Sequence, residues 1–218
     1  MSKVCFIVGA GENHGLDFTV SNGDLVIAAD GGLTYLEKNG VNADIIIGDF
    51  DSVAKIPAQG NVITLNGEKD YTDTLAAIHE GMNRGYKAFH IYCGTGGRIE
   101  HTLANIQAIA SLSQSKSKGY LFDKDCVITA ITNDSIAFDS RCRGFISIFS
   151  NSDKSTGVFV KGLKYEIENA VIANNFPIGV SNEFVGSDST ITVENGTLII
   201  VFPRKHIKDI FVGRSRDE

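Results

Sequence analysis

Across the first 134 residues, short apolar runs with little polar alternation are separated by segments whose apolar residues fall at three- and four-residue steps. The runs are residues 3–9, 24–30, 43–48, 61–65, 88–93 and 126–132. Runs of that kind suit strands covered on both faces, as in a parallel sheet. The intervening segments 33–39, 72–84 and 101–114 have helical period, with Leu75, Ile78, His79 and Met82 on one side of the second, and read as crossover helices. In open sheets of this type ligands bind beyond the carboxyl ends of the strands, so the residues just after each run are the candidate site.

Beyond Asp134 the pattern changes to short β-type runs at 145–149, 157–160, 170–173, 189–193 and 196–202, divided by Gly, Asn, Asp and Ser, with no helix-period segment. Asn195-Gly196 between the last two predicts a hairpin. The polar stretch 116–125 reads as a loop. The expected fold class is therefore α/β over residues 1–134, a mostly parallel sheet with helices on both faces, followed by a smaller all-β, sandwich-like domain over 135–218.

Composition narrows the function classes. Hydrophobic residues make up 43% and charged residues 21%, which is ordinary globular usage. The net charge of −6 disfavours polyanions, and the one basic run, from Arg204 to Arg216, reads as a solvated terminus, so no nucleic-acid partner is expected. No run approaches the ~18 apolar residues of a membrane helix, and no membrane partner is expected. Cys5, Cys93, Cys126 and Cys142 have no CxxC spacing and read as reduced thiols, which suggests the cytoplasm.

Several strand ends carry chemistry. Gly48-Asp49-Phe50-Asp51-Ser52 sets two carboxylates two residues apart, which an extended backbone points the same way. Hard oxygen donors in that arrangement suit Mg²⁺ bridging a polyphosphate, although Asp-rich turns also occur without a metal. Lys69-Asp70-Tyr71-Thr72-Asp73 follows the next run, with Thr72 as a helix N-cap and Asp73 in the first turn. Cys93-Gly94-Thr95-Gly96-Gly97-Arg98 leads into a third helix; its glycines let backbone N–H groups reach an anion, and Arg98 adds a forked donor. Asp30-Gly31-Gly32 and Thr132-Asn133-Asp134 stand at two further ends, suited to ribose or adenine. His101 beside Glu100 and Arg98 is open to capping, packing or titration. Gly9-Ala10-Gly11-Glu12-Asn13-His14-Gly15 looks like a dinucleotide fingerprint with its third glycine one residue late and no helix period after it, so no nicotinamide or flavin is expected. The histidines have no zinc-ligand spacing.

In this order, the ADGG, GDFDS, KDYTD and GTGGR segments and Gly179-Val180-Ser181-Asn182-Glu183 resemble the thiamine pyrophosphokinase family nearly end to end. The resemblance implies a catalytic α/β domain, a β-sandwich that binds thiamine and dimerises, and transfer of diphosphate from ATP to thiamine with release of AMP. It implies Mg²⁺ on Asp49, Asp51 and Asp73, with these three and Arg98 as the catalytic group. The nucleotide would lie against Asp30, Gly31, Gly32, Gly48, Thr95, Gly96, Arg98, His101, Thr132, Asn133 and Asp134. Lys69 and Asp70 would lie near the acceptor, and Ser181 and Asn182 would reach thiamine, at a subunit interface of a homodimer. Two departures stand out: Glu100 replaces the family's usual Asp, and the chain has no Trp to set against thiamine, leaving Phe184 or Tyr165 to supply a ring.

The residues alone also fit other chemistries. A DxD glycosyltransferase would use the same pair on a sugar nucleotide, a phosphatase would use Asp49 as nucleophile, and a related pyrophosphokinase would take an alcohol such as a hydroxymethylpterin. A non-enzymatic nucleotide-binding regulatory module is the remaining class.

Overall fold

A computed structural model of the chain describes residues 3–48, 61–64 and 71–212. It divides into two compact units, one of residues up to 108 with 117–124, the other of 109–116 with 125 onward.

The first unit holds β1 (Val4–Val8), β2 (Leu25–Ala29), α1 (Gly32–Lys38), β3 (Ile45–Gly48), β4 (Asn61–Thr64), α2 (Asp73–Asn83), β5 (Ala88–Tyr92), the start of α3 (Ile99–Gln114) and β6 (Lys118–Phe122). Its strands are parallel, in the order β6-β5-β1-β2-β3-β4. The chain steps outward from β1 to β4, and then α2 carries it back to β5 and α3 on to β6. Because parallel crossovers are right-handed, the outward and returning connections lie on opposite faces. The returning face is packed by α2, where Gly81 sits so close to Phe89 and Cys5 that an added Cβ would be 2.6 and 2.9 Å from them.

On the other face an aromatic cluster forms. Phe6, His90 and Tyr120 are in register across β1, β5 and β6. Phe18, from the element-free segment after β1, stacks on Phe6 at 4.3 Å, and Tyr92 stacks on Phe122 at 4.3 Å. Enclosure among these rings pushes the His90 imidazole down to about 4, against the opposing pull of Asp24 and Asp17.

Residues 116–125, read from the sequence as a loop, contain β6. Only Tyr120, Leu121 and Phe122 are strongly apolar, too few to stand out among lysines and aspartates, and pairing with β5 buries them. Sheet contacts decided what local composition did not.

The second unit contains β7 (Cys126–Thr132), β8 (Ser135–Phe138), β9 (Gly144–Ser150), β10 (Lys154–Lys161), β11 (Ile167–Ala173), β12 (Asn182–Phe184), β13 (Ser189–Asn195), β14 (Thr197–Pro203) and β15 (Ile210–Val212). Strands β12-β9-β14-β7 are joined antiparallel, as are β11-β10-β13-β8-β15. The mostly parallel sheet expected over residues 1–134 is present in the first unit, but β7, expected among its strands, pairs antiparallel with β14, and among the described residues antiparallel strands predominate. Strands β8, β12 and β15 are too short to show a period.

The Asn195-Gly196 hairpin does not form. Strand β13 pairs with β10 and β8, whereas β14 pairs with β7 and β9, so the turn links two different ladders. Gly196 has φ 116° while Asn195 stays at negative φ, and a two-residue type I′ turn needs both positive. Asn133 closes the turn from outside, accepting the Gly196 N–H at 2.8 Å and donating its own N–H to the Gly196 carbonyl at 3.1 Å. Among the described residues no helix is long and apolar enough to cross a membrane.

Candidate active site

The strand ends of the first unit surround a cavity of about 400 Å³. Four segments build it: Ala10 and Gly11 after β1, Ala29 and Asp30 after β2, Thr72 to Thr74 at the start of α2, and Cys93 through Arg98 with His101 and Asn105 after β5, Thr95 excepted.

Each segment is held there for an identifiable reason. Asp30 and Cys93 end their strands in the left-handed region, at φ 52° and 54°, which turns the chain sharply out of the sheet at a cost of about 1–2 kcal/mol each. Thr72 caps α2, its Oγ1 accepting the Leu75 N–H at 3.2 Å, a contact worth about 1 kcal/mol. Asp73 then lies in the first turn, where the helix dipole favours a carboxylate. Gly96 and Gly97 take φ 78° and 61°, so residues 93–98 present backbone N–H groups in a conformation that side-chain-bearing residues resist. Buried Asn105 secures this loop from within, its Nδ2 donating to the Gly94 carbonyl at 2.7 Å.

The Arg98 guanidinium contacts the His101 ring and pairs with Glu100 at 3.4 Å. Arg98 is 70% exposed, so this surface pair is weak and leaves the guanidinium able to swing toward an anion. Glu100, the departure from the family pattern, thus meets Arg98 directly.

Of the residues singled out from the sequence, Asp30, Asp73, Gly96, Arg98 and His101 line this one cavity. Gly31 and Gly32 begin α1, with Gly32 pressed against the carbonyl of Val8, and Gly48 is buried at the end of β3. Thr95 is only 4% exposed and does not line the cavity; its hydroxyl donates to Asp123 at 2.7 Å. Asp49, Asp51, Lys69 and Asp70 lie outside the described residues.

Thr132, Asn133 and Asp134 belong to the second unit. The Thr132 hydroxyl bonds Ser113 and Thr197, Asn133 closes the Gly196 turn, and Asp134 accepts the Ser135 N–H. Also there, Ser181 is at φ 60° with its N–H on Ser147. Asn182 accepts the Tyr165 and Glu183 N–H groups and donates to the Tyr165 carbonyl at 2.7 Å. Tyr165, a residue 61% exposed, is thereby held beside a small apolar cavity of about 80 Å³, whereas Phe184 is buried against Phe138.

Sequence reasoning missed Ala10, Thr74 and Asn105 as cavity-lining residues. An Asn in the second turn of the helix after a glycine loop was the available signal for Asn105. It also missed the grouping of Cys142 with His206 and Asp209, more than sixty residues further along the chain. There the His206 Nε2 accepts the Arg143 N–H at 2.9 Å, leaving Nδ1 to donate to Asp209 at 3.0 Å, while Arg141 pairs with Asp209 at 2.9 Å. Those partners describe a structural tie rather than a metal centre.

The family model for the thiamin pyrophosphokinase catalytic domain matches residues 17–121, and that for the thiamin pyrophosphokinase vitamin B1 binding domain matches 135–199. The chain belongs to the thiamin pyrophosphokinase family. It is similar to the thiamine pyrophosphokinase of Bacillus subtilis (strain 168), 26% identical over 210 residues that cover 92% of this chain and 98% of the relative. It is also similar to thiamin pyrophosphokinase 1 of Caenorhabditis elegans, 26% identical over 177 residues, covering 74% and 72%. The crystal structure of the Bacillus subtilis thiamine pyrophosphokinase superposes with a TM-score of 0.82 over 92% of this chain and 99% of that one, at 26% identity. The Geobacillus thermodenitrificans thiamin pyrophosphokinase, at 22% identity, TM-score 0.78 and coverage of 92% and 97%, shares the fold.

Proposed function

We infer that this protein transfers diphosphate from ATP to the hydroxyl of thiamine, giving thiamine diphosphate and AMP. One observation carries the reading: a catalytic domain and a vitamin B1 binding domain of one enzyme family match in succession, and the catalytic part has a cavity at its strand ends suited to a polyphosphate. The B1-binding match favours thiamine over a hydroxymethylpterin or a sugar nucleotide.

Attack by a primary alcohol on the β-phosphorus needs alignment and charge neutralisation more than covalent help. The N–H groups of Gly96, Gly97 and the first turn of α2 receive phosphate oxygens, and Arg98 swings from Glu100 to neutralise them. Asp73, with Asp49 and Asp51, would hold Mg²⁺; Asp30 and Asp73 both line the cavity, and carboxylate oxygens suit a hard cation, which would supply charge neutralisation for the triphosphate. Asp51 or Asp73 accepts the alcohol proton. Asp30 and His101 contact the nucleotide, with Gly31, Gly32, Gly48 and Thr95 shaping its surroundings; Lys69 and Asp70 lie by the acceptor.

In the second domain, residues 135–218, Ser181 contacts thiamine and Asn182 holds Tyr165 for its ring to pack on the substrate. This domain also forms a homodimer whose interface includes the thiamine site. The support is a set of exposed apolar side chains: Phe145 in β9, Phe176, Ile178 and Val180 in the segment before β12, and Val185 just after it. The cysteines are thiols, which fits a reducing cytoplasm.

The test is AMP formation from ATP, thiamine and Mg²⁺; no AMP with all three present refutes the reading. Asp73→Asn should lower kcat by on the order of a hundredfold or more with the fold intact, and unchanged turnover removes Asp73 from the site.

A further inference from the structure

Residues 9–15 resemble a dinucleotide fingerprint but depart from its glycine spacing, and their glycines therefore need another explanation. In the structure they are laid along the phosphate-receiving loop 93–98. The Gly11 N–H donates to the Cys93 carbonyl at 2.7 Å and the Glu12 N–H to the Thr95 carbonyl at 2.9 Å. A Cβ on Gly11 would be 2.4 Å from the Thr95 carbonyl oxygen, so the approach requires glycine. The Glu12 side chain covers Gly96, where an added Cβ would be 2.5 Å from its Cγ.

Side chains extend the same fastening. Thr95, 4% exposed, donates its hydroxyl to Asp123 Oδ1 at 2.7 Å. That carboxylate oxygen is 3.5 Å from the His14 Nε2, which is equally 3.5 Å from Glu12. Asp123 immediately follows β6, so the end of a neighbouring strand anchors the middle of the loop. Glu12, His14, Thr95 and Asp123 do not line the cavity, and their effect on a nucleotide must pass through the loop they hold.

We propose that Asp123 is a positioning residue for the ATP polyphosphate: acting through Thr95, and clasped by His14 and Glu12, it fixes loop 93–98 in its anion-receiving shape before the nucleotide arrives. The proposal rests on the diphosphotransferase reading for its choice of ligand. A loop with positive φ at Cys93, Gly96 and Gly97 has many alternatives when unrestrained, and ordering it on binding would weaken affinity. Because the loop meets the phosphates in both ground and transition states, its loosening raises the KM for ATP more than it lowers kcat.

The experiment uses the full chain with Asp123→Ala, Asp123→Asn and Thr95→Val. Titration with a non-hydrolysable ATP analogue and Mg²⁺ reads the loop without an acceptor, so it stands even if thiamine proves not to be the substrate; steady-state KM for ATP and for thiamine and the melting temperature complete the set. Asp123→Ala and Thr95→Val should each weaken the analogue and raise the KM for ATP by on the order of tenfold, with the KM for thiamine within about twofold of the parent. Asp123→Asn, which keeps an acceptor for the Thr95 hydroxyl, should recover most of that loss. Analogue affinity within about twofold of the parent in both loss variants overturns the proposal, as does equal weakening toward both substrates that tracks a fall in melting temperature. If Asp123→Ala does not fold, the near-isosteric Thr95→Val decides alone.

Discussion

Gly32→Ala separates a glycine needed for packing from one kept for flexibility. Gly32 is helical and not at positive φ, so its backbone conformation suits alanine, and helix propensity alone would favour the substitution by about 1 kcal/mol. The new Cβ, however, would lie 1.9 Å from the carbonyl oxygen of Val8, 2.6 Å from its carbon and 3.0 Å from the Gly9 oxygen. The first distance is roughly 1.5 Å inside ordinary contact. Val8 cannot yield, because β1 is paired on both sides, with Ala28 and with Tyr92. Helix α1 must lift instead, an overpacking cost of about 3 kcal/mol that leaves a net loss of about 2 after the propensity gain. For a chain of this size that is a fall in Tm of roughly 4–8 °C. Gly31→Ala is the matched control: its Cβ would meet only Ala10, at 3.3 Å, and should change Tm by less than about 2 °C. Thermal melts by circular dichroism, supported by urea titration, read both. A Gly32→Ala chain that melts within about 2 °C of the parent, or a Gly31→Ala chain that falls as far, refutes the reasoning.

Two further outcomes concern pH and assembly. His90 titrates near 4 when folded and near its ordinary 6.5 when unfolded, so below about pH 6.5 the unfolded chain takes up a proton that the native chain refuses. Its contribution to stability is therefore present above pH 6.5, is lost as pH falls toward 4, and amounts to about 2 kcal/mol between pH 7 and pH 5. Urea unfolding of His90→Phe should show a correspondingly shallower pH dependence, and an identical slope would exonerate His90. Phe176→Asp, at a site 67% exposed on the second domain, should shift the chain from dimer to monomer by light scattering; a parent chain already monomeric and fully active rules out a shared thiamine site.

The sequence alone determined the elements whose signal is local. Buried strands β1, β2, β5 and β7 announced themselves as apolar runs with little polar alternation, and Thr72 followed by Asp73 marked the start of α2, because period and capping are written in adjacent residues. It also pointed to the strand ends, where Asp30, Asp73, Gly96, Arg98 and His101 line one cavity. Tertiary structure decided what depends on distant partners. Strand β6 exists because pairing with β5 buries three of its residues, and Asn195-Gly196 joins two ladders because β9 and β7 occupy both edges of β14 and leave none for β13. Thr95 shows the same division within the site: the family resemblance set it among the nucleotide residues, and Asp123, 28 residues on, takes its hydroxyl. Spacing along the chain reports which groups stand near a site, while the hydrogen bonds made across it determine which of them remain available to a ligand.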